Sequence, residues 1–295
     1  MQLSVVIITF NEEVNIGRTL ASVQPLVADG KGEIIVVDSG SADRTVEIAK
    51  SYGAKVFVEE WKGYAAQKNS AIDKASGEWI LSLDADEELS KELTTEISST
   101  LADQKDRKRM QGVADDVPDR LQAIRQVQLE SGIPLSRFTF GFWISRKNFF
   151  LRRWIRHGGF WPDSKMRLFR RNAARFEDRA VHEDAKLDGP EATLRGALIH
   201  HSYPTLCDYI DHMNRYSSLG AEMVIAKGRV RFSFINIVLR PLLTFIYNYF
   251  FRLGFLDGRE GLLLHLYHAV YVSWKYAKAW ELSRSKKESS NDLSS

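Results

Sequence analysis

The sequence predicts an α/β fold, a mostly parallel sheet with helices on both faces, followed by a helical C-terminal part. Three observations predict it. The first hundred residues alternate between short β-rich runs and helical patterns, and the runs VVII and IIVV are apolar without interruption, as in strands buried on both faces. Residues 232–280 hold 13 of the chain's 33 aromatic residues, in helical spacing.

Taken in order, the strands are expected at Leu3–Thr9, Glu33–Asp38, Ala54–Val58 and Trp79–Leu83, with helices at Val14–Val23, Asp43–Ser51 and Tyr64–Ala75 between them. Changes of character along the chain then give five regions. Residues 1–103 form the sheet-building half, 104–137 a charged insertion punctuated by Pro118 and Pro134, and 138–203 a basic and aromatic half. Residues 204–282 are helical and amphipathic, and 283–295 form a Ser, Lys, Glu and Asn tail expected to be disordered.

Composition bounds what such a chain can do. With 295 residues, 44% of them hydrophobic and 27% charged, there is enough chain to bury a sizeable core. The net charge of +3 is too mild for a nucleic-acid binder. The single cysteine, Cys207, forms no internal disulfide and fits a reducing compartment. Leu3–Phe10 is preceded by no Lys or Arg and followed by Asn11, Glu12 and Glu13, so it reads as a buried strand and not as a secretory leader. Phe232–Phe251 is long enough to span a bilayer but is interrupted by Asn236, Arg240, Pro241 and Asn248. A central Arg costs roughly 2.5–3.5 kcal/mol on insertion scales, so this segment is expected to lie on a membrane and not to cross it.

In open α/β sheets ligands bind at the carboxyl ends of the strands, which directs attention to three polar segments. Asp84-Ala85-Asp86 directly follows the strand WILSL, and residues two apart in an extended segment point the same way. Two converging carboxylates repel one another unless a divalent cation such as Mg²⁺ or Mn²⁺ joins them, and a diphosphate is the natural third partner. Asp38-Ser39-Gly40-Ser41 follows the second strand, where Asp38 can accept from a base or ribose. Thr9, Asn11 and Glu12 follow the first strand, where helix capping is the plainer explanation. Neither G-x-G-x-x-G nor G-x-x-x-x-G-K-[ST] occurs, which argues against dinucleotide and P-loop chemistry.

As a set, SVVIITFNEE, IIVVDSGSADRT and GYAAQKNSAIDKASGEWILSLDADE resemble the opening of family-2 glycosyltransferases with the GT-A fold. The resemblance implies that Thr9, Asn11, Glu12 and Asp38 contact the nucleotide, that Lys68 lies near it, and that Asp84 and Asp86 hold a metal diphosphate. Downstream, RKNFFLRRWIRHGGFWPDSKMRLFRR, ARFEDRAVHE, LIHHSY and GFLDGREGL resemble lipopolysaccharide inner-core β-1,4-glucosyltransferases, which move glucose from UDP-glucose onto a heptose. Residues 104–137 depart from that pattern. By the same resemblance Glu183 is the candidate base, with Asp184 as runner-up, and His200 or His201 the additional ligand of an Mg²⁺ or Mn²⁺ ion. The partners implied are a UDP-sugar donor, a lipid-linked anionic saccharide acceptor and the inner, cytoplasmic face of the membrane.

Between Arg146 and Arg175 there are ten Lys or Arg and one acid, Asp163, interleaved with aromatics. This stretch fits the phosphates and acidic sugars of such an acceptor, or anionic lipid headgroups. Arg152, Arg153, Arg156 and Arg167 are the expected acceptor contacts. In the C-terminal helix His265, His268, Lys275 and Lys278 form one face, and Leu263, Leu266, Tyr267, Val270 and Trp274 the opposite one. Such a helix can lie in the headgroup plane or pack on the protein's own core. Two other classes share single features. A D-x-D after a strand also occurs in haloacid-dehalogenase-like phosphotransferases, against which stands Glu88 where Thr or Val is usual, and the basic stretch alone would suit a non-catalytic membrane- or RNA-binding module.

Overall fold

A computed structural model describes residues 2–111, 139–177, 185–228 and 230–292. They form two compact units. The first comprises the chain up to Arg146 together with Ser164–His200, and the second Lys147–Asp163 together with the chain from His201 onward.

In the first unit four strands run parallel in the order β3-β2-β1-β4: β1 (Leu3–Thr9), β2 (Gly32–Asp38), β3 (Lys55–Val58) and β4 (Trp79–Asp84). The register pairs Thr9 with Asp38 and Ile8 with Asp84, so the polar ends of β1, β2 and β4 finish level with one another. Period-two alternation sends Leu3, Val5, Ile7, Val36 and Leu81 to one face. There they pack on Ile16, Leu20 and Val23 of α1 (Ile16–Val27) and on Leu93, Ile97 and Leu101 of α4 (Lys91–Gln111). Val6, Ile35, Val37 and Ile80 go to the other face, against Ala65 and Ile72 of α3 (Tyr64–Asp73). The helix α2 (Thr45–Ser51) completes the alternation the sequence predicts, with boundaries within a few residues of those expected.

Beyond β4 the sheet becomes mixed. It continues through β8 (Asp163–Arg170), β6 (Gly141–Phe150) and β11 (Glu191–Tyr203) to β5 (Glu87–Leu89), with β4–β8 and β11–β5 antiparallel. The expectation of a mostly parallel sheet is therefore met only in the β3-β2-β1-β4 half. The strands β8 and β11 return from far along the chain and enter the sheet antiparallel to β4 and β5, a sense that the local pattern of any one segment does not carry. A separate pair joins β9 (Ala174–Phe176) to β10 (Ala185–Leu187). Of the insertion expected at 104–137, α4 continues through Gln111, and the rest lies outside the described residues.

In the second unit the end of β6 pairs with β7 (Arg153–Trp154) across a two-residue turn, Leu151-Arg152, whose φ angles are 49° and 67°. Two successive left-handed residues are what a tight hairpin turn demands, and neither is glycine or asparagine. The unit's core is built on Phe150, Ile155, Tyr209 and Leu264. It is framed by α5 (Leu206–Ala226), capped by a reciprocal Thr205–Asp208 box, and by α7 (Gly258–Asp292). The last helix runs through Asp292.

The polar stripe of α7 turns inward. Lys278 Nζ donates to Asn214 O (2.8 Å), Asn214 Oδ1 (2.6 Å) and Ser217 Oγ (2.8 Å) of α5, and His265 is 1% exposed, whereas Leu266 is 46% exposed. Leu263 and Tyr267 also pack on the core, so both faces of the helix are engaged in part. Phe232–Phe251 folds as α6 (Arg240–Ile246) between two π-helical turns, Ile235–Leu239 and Tyr247–Phe251. Among the described residues no helix is long and apolar enough to cross a membrane.

Candidate active site

The level ends of β1, β2 and β4 carry the sequence-predicted residues of the first unit. Asp38, fully buried, accepts from Thr9 Oγ1 (2.8 Å), Gly40 N (3.0 Å), Ser41 N (2.8 Å) and Ser41 Oγ (2.5 Å). Gly40 has φ +88°, which lets the chain fold back over that carboxylate. The loops after β1 and β2 are stitched together. Asn11 N donates to Ser41 Oγ (2.8 Å), Ala42 N to Asn11 Oδ1 (2.9 Å), and Glu12 N to Thr45 Oγ1 (2.7 Å). Burial, reinforced by Asp86, Asp43 and Asp84 and opposed by Asn15, pushes the Glu12 carboxyl up to about 6.

At the end of β4, Asp84 is held by two cations: Lys68 Nζ lies 2.8 Å from its Oδ1 and Arg167 Nη2 2.5 Å from its Oδ2. Burial alone would raise its pKa, but Arg167 and Lys68 hold it well below the usual carboxylate range. Arg167 also reaches Glu87 Oε1 (2.6 Å), which Arg146 approaches at 3.1 Å, while Glu87 Oε2 accepts from the backbone N–H of Asp84 (3.0 Å). Arg167, expected among the acceptor contacts, is therefore a buried strut whose charge is taken up by Asp84 and Glu87. It sits on β8, and the antiparallel pairing of β8 with β4 brings it there.

Asp86 faces His200, with Oδ2 and Nε2 3.2 Å apart. Burial opposes charge on both groups, but each favours the other's charged form, lowering the Asp86 pKa and raising that of His200. His201 belongs to the second unit and stacks on Phe149, with ring centroids 5.8 Å apart. Of the two histidines it is His200 that meets the acidic end of β4. Among the described residues no group of three or more His, Cys, Asp and Glu side chains is arranged to hold a metal ion. A carboxylate with one imidazole fits a hard cation that takes its other ligands from phosphate and water. Glu183 and Asp184 lie outside the described residues.

In the second unit Arg152 lies in the strained turn, and Arg153 and Arg156 follow it. Arg156 stacks over Trp154 (4.7 Å to the ring centroid), Lys147 also lies over that ring (4.9 Å), and Arg153 pairs with Glu260 (3.5 Å). The segment is fastened by the buried Asp257, which accepts from the backbone N–H of Arg156 (3.2 Å) and of His157 (2.8 Å) and lies 3.0 Å from His157 Nδ1. Sequence reasoning missed Glu87, Arg146 and Asp257 as supporting residues. Glu87 was legible in principle from its place in DADEE; the other two depend on pairings between residues 59 and 100 positions apart.

Residues 4–176 match the glycosyl transferase family 2 profile, and the chain belongs to that family. An uncharacterized glycosyltransferase of Rickettsia typhi is 31% identical over 294 residues, covering 96% of this chain and 88% of its own. The lipopolysaccharide core biosynthesis glycosyltransferase LpsC of Rhizobium meliloti is 27% identical, covering 95% and 93%. A solved structure, glucosyl-3-phosphoglycerate synthase of Mycobacterium tuberculosis with Mn²⁺, UDP and glucosyl-3-phosphoglycerate, matches 29% of this chain and 34% of its own at 32% identity and a TM-score of 0.27. The chain is thus a glycosyltransferase, taking a nucleotide-sugar donor and an acceptor.

Proposed function

We propose that the protein is an inverting glycosyltransferase that moves a hexose, glucose from UDP-glucose, onto a heptose of the lipopolysaccharide inner core at the cytoplasmic face of the membrane. The observation that carries the reading is the joined end of β1, β2 and β4. There a hydrogen-bonded loop pair built on Thr9, Asn11, Glu12 and Asp38 adjoins a carboxylate pair whose second member meets His200. The likeness to LpsC supports the choice of acceptor.

In this reading the Asp38 and Asn11 loops orient the uridine. Lys68, freed from Asp84, turns to the diphosphate. Asp86 and His200 would hold Mg²⁺ or Mn²⁺, whose charge would offset the negative charge developing on UDP as it leaves. Glu183 removes the acceptor hydroxyl proton, and inversion follows from attack opposite the leaving group. Arg152, Arg153 and Arg156 contact the anionic groups of the acceptor. Mass spectrometry of the lipopolysaccharide core from a deletion strain tests this directly: a core lacking one hexose is expected, and an unchanged core overturns the proposal.

A further inference from the structure

The second unit contains a cavity of about 220 Å³ lined by Lys227, Arg231, Ser233, Asn236 and Tyr276, none of which enters the chemistry above. Its polar groups suit an anion. Lys227 and Arg231 are exposed cations, Ser233 Oγ accepts from Asn236 N at 3.3 Å, and Tyr276 is flanked by two more cations. Arg240 stacks over the Tyr276 ring at 5.1 Å and donates to its hydroxyl, and Lys275 lies 5.4 Å from the ring centre. Between Glu222 and Asp257 the sequence contains no Asp or Glu.

The surface beside the cavity is apolar. Phe232, Phe234, Ile235, Val238, Leu239 and Leu242 follow its basic wall in sequence and are 40–64% exposed. Scattered exposed apolar residues need no explanation, but a run of them beside cations, in a stretch with no Asp or Glu, does. An amphipathic segment with Arg and Lys on its polar side and Phe, Ile and Leu on the other partitions into the boundary between headgroups and acyl chains. The helical run of α6 and its flanking π turns is too interrupted to span and suited to lie in that plane.

We infer that this cavity binds the phosphate headgroup of an anionic phospholipid while the neighbouring apolar row rests in the same leaflet. The inference rests on the membrane-surface reading above and adds to it the place of contact and the charge of the lipid. A soluble phosphate could satisfy the cations, but it would leave the apolar row in water; only a lipid accounts for both.

Vesicle co-sedimentation of the full-length protein tests it, with phosphatidylcholine vesicles with and without phosphatidylglycerol. The wild type is expected to bind the anionic vesicles more tightly. The Lys227→Ala/Arg231→Ala double variant should lose about twenty-five-fold in affinity for them, about fivefold per cation, with its weaker binding to neutral vesicles unchanged. Phe234→Ser/Leu242→Ser should weaken binding to both kinds. Wild-type binding by the Lys227→Ala/Arg231→Ala variant overturns the headgroup site and leaves the membrane reading standing, whereas failure of the wild type to bind any vesicle overturns both. Saturable micromolar binding of inorganic phosphate without vesicles, lost in the double variant, would assign the cavity to a soluble anion and overturn the lipid.

Discussion

Arg167 Nη2 lies 2.5 Å from Asp84 Oδ2, joining β8 to the carboxyl end of the adjacent strand β4. The same nitrogen meets Glu87, so one guanidinium bridges two carboxylates beside the proposed diphosphate position, and Lys68 and Arg146 supply the remaining positive charge. Arg167→Met should therefore destabilise the first unit by about 3–5 kcal/mol, because it leaves buried Glu87 under-compensated. Arg167→Lys keeps a charge but not the planar guanidinium and should lose less. Urea unfolding of the two variants measures the difference.

Asp38 accepts four hydrogen bonds, one from the end of β1 and three from the loop after β2. Asp38→Ala leaves those donors without their acceptor, and UDP affinity should fall by about tenfold or more. Isothermal titration with UDP reads this, and Ser41→Ala, which removes one of the four, should lose less.

Asp86 and His200 are expected to act as one unit. Asp86→Asn and His200→Asn should each abolish the gain in UDP binding that Mn²⁺ produces, and the double variant should be no worse than either single one. In EDTA all should bind UDP as the wild type does. Titrations with and without Mn²⁺ check both statements.

Asp257 fastens the segment carrying Arg156 and His157. Asp257→Ala should raise the acceptor KM while leaving the donor KM unchanged. It should also speed amide exchange at residues 156 and 157, detectable by hydrogen-exchange mass spectrometry.

His265 supplies a pH dependence. Burial first, then His268, pushes its pKa down to about 4, opposed by Asp257. Among the described residues neither ring nitrogen has a hydrogen-bond partner, and the ring fills the space where a Cβ on Gly158 would come within 2.0 Å of Cε1. The folded chain therefore binds fewer protons than the unfolded one between the ordinary value of 6.5 and about 4, so stability falls as pH drops through that window. The loss reaches about 3 kcal/mol, and His265→Leu should remove that part of the acid slope. Chemical denaturation at a series of pH values measures it.

The parallel half of the fold was legible because its signals are local. VVII, IIVV and WILSL report burial on both faces wherever they pair, and the small polar residues after each strand mark ligand-facing ends. Thr9, Asp38, Asp84 and Asp86 could be picked out for that reason. The antiparallel half was not legible, since β6 is half-buried over most of its length and β11 alternates only at its start before running buried and then half-buried. The inward turn of the polar stripe on α7 was hidden in the same way. Sequence periodicity identifies two faces, but which partner each face meets depends on α5, some sixty residues earlier.

By itself, then, the sequence determined the strand and helix order of the first hundred residues, the acidic end of β4 and the basic character of residues 146–175, all properties of neighbours along the chain. Only the tertiary structure decided that His200 and not His201 meets Asp86, that Arg167 is a strut and not a surface cation, and that Asp257 holds Arg156. The reason is physical. A buried charge takes its role from the groups packed against it: Asp84 meets Arg167 from 83 residues away, Asp86 meets His200 from 114 residues away, and Asp257 accepts from the backbone of Arg156 101 residues away, each brought within hydrogen-bond reach by packing alone.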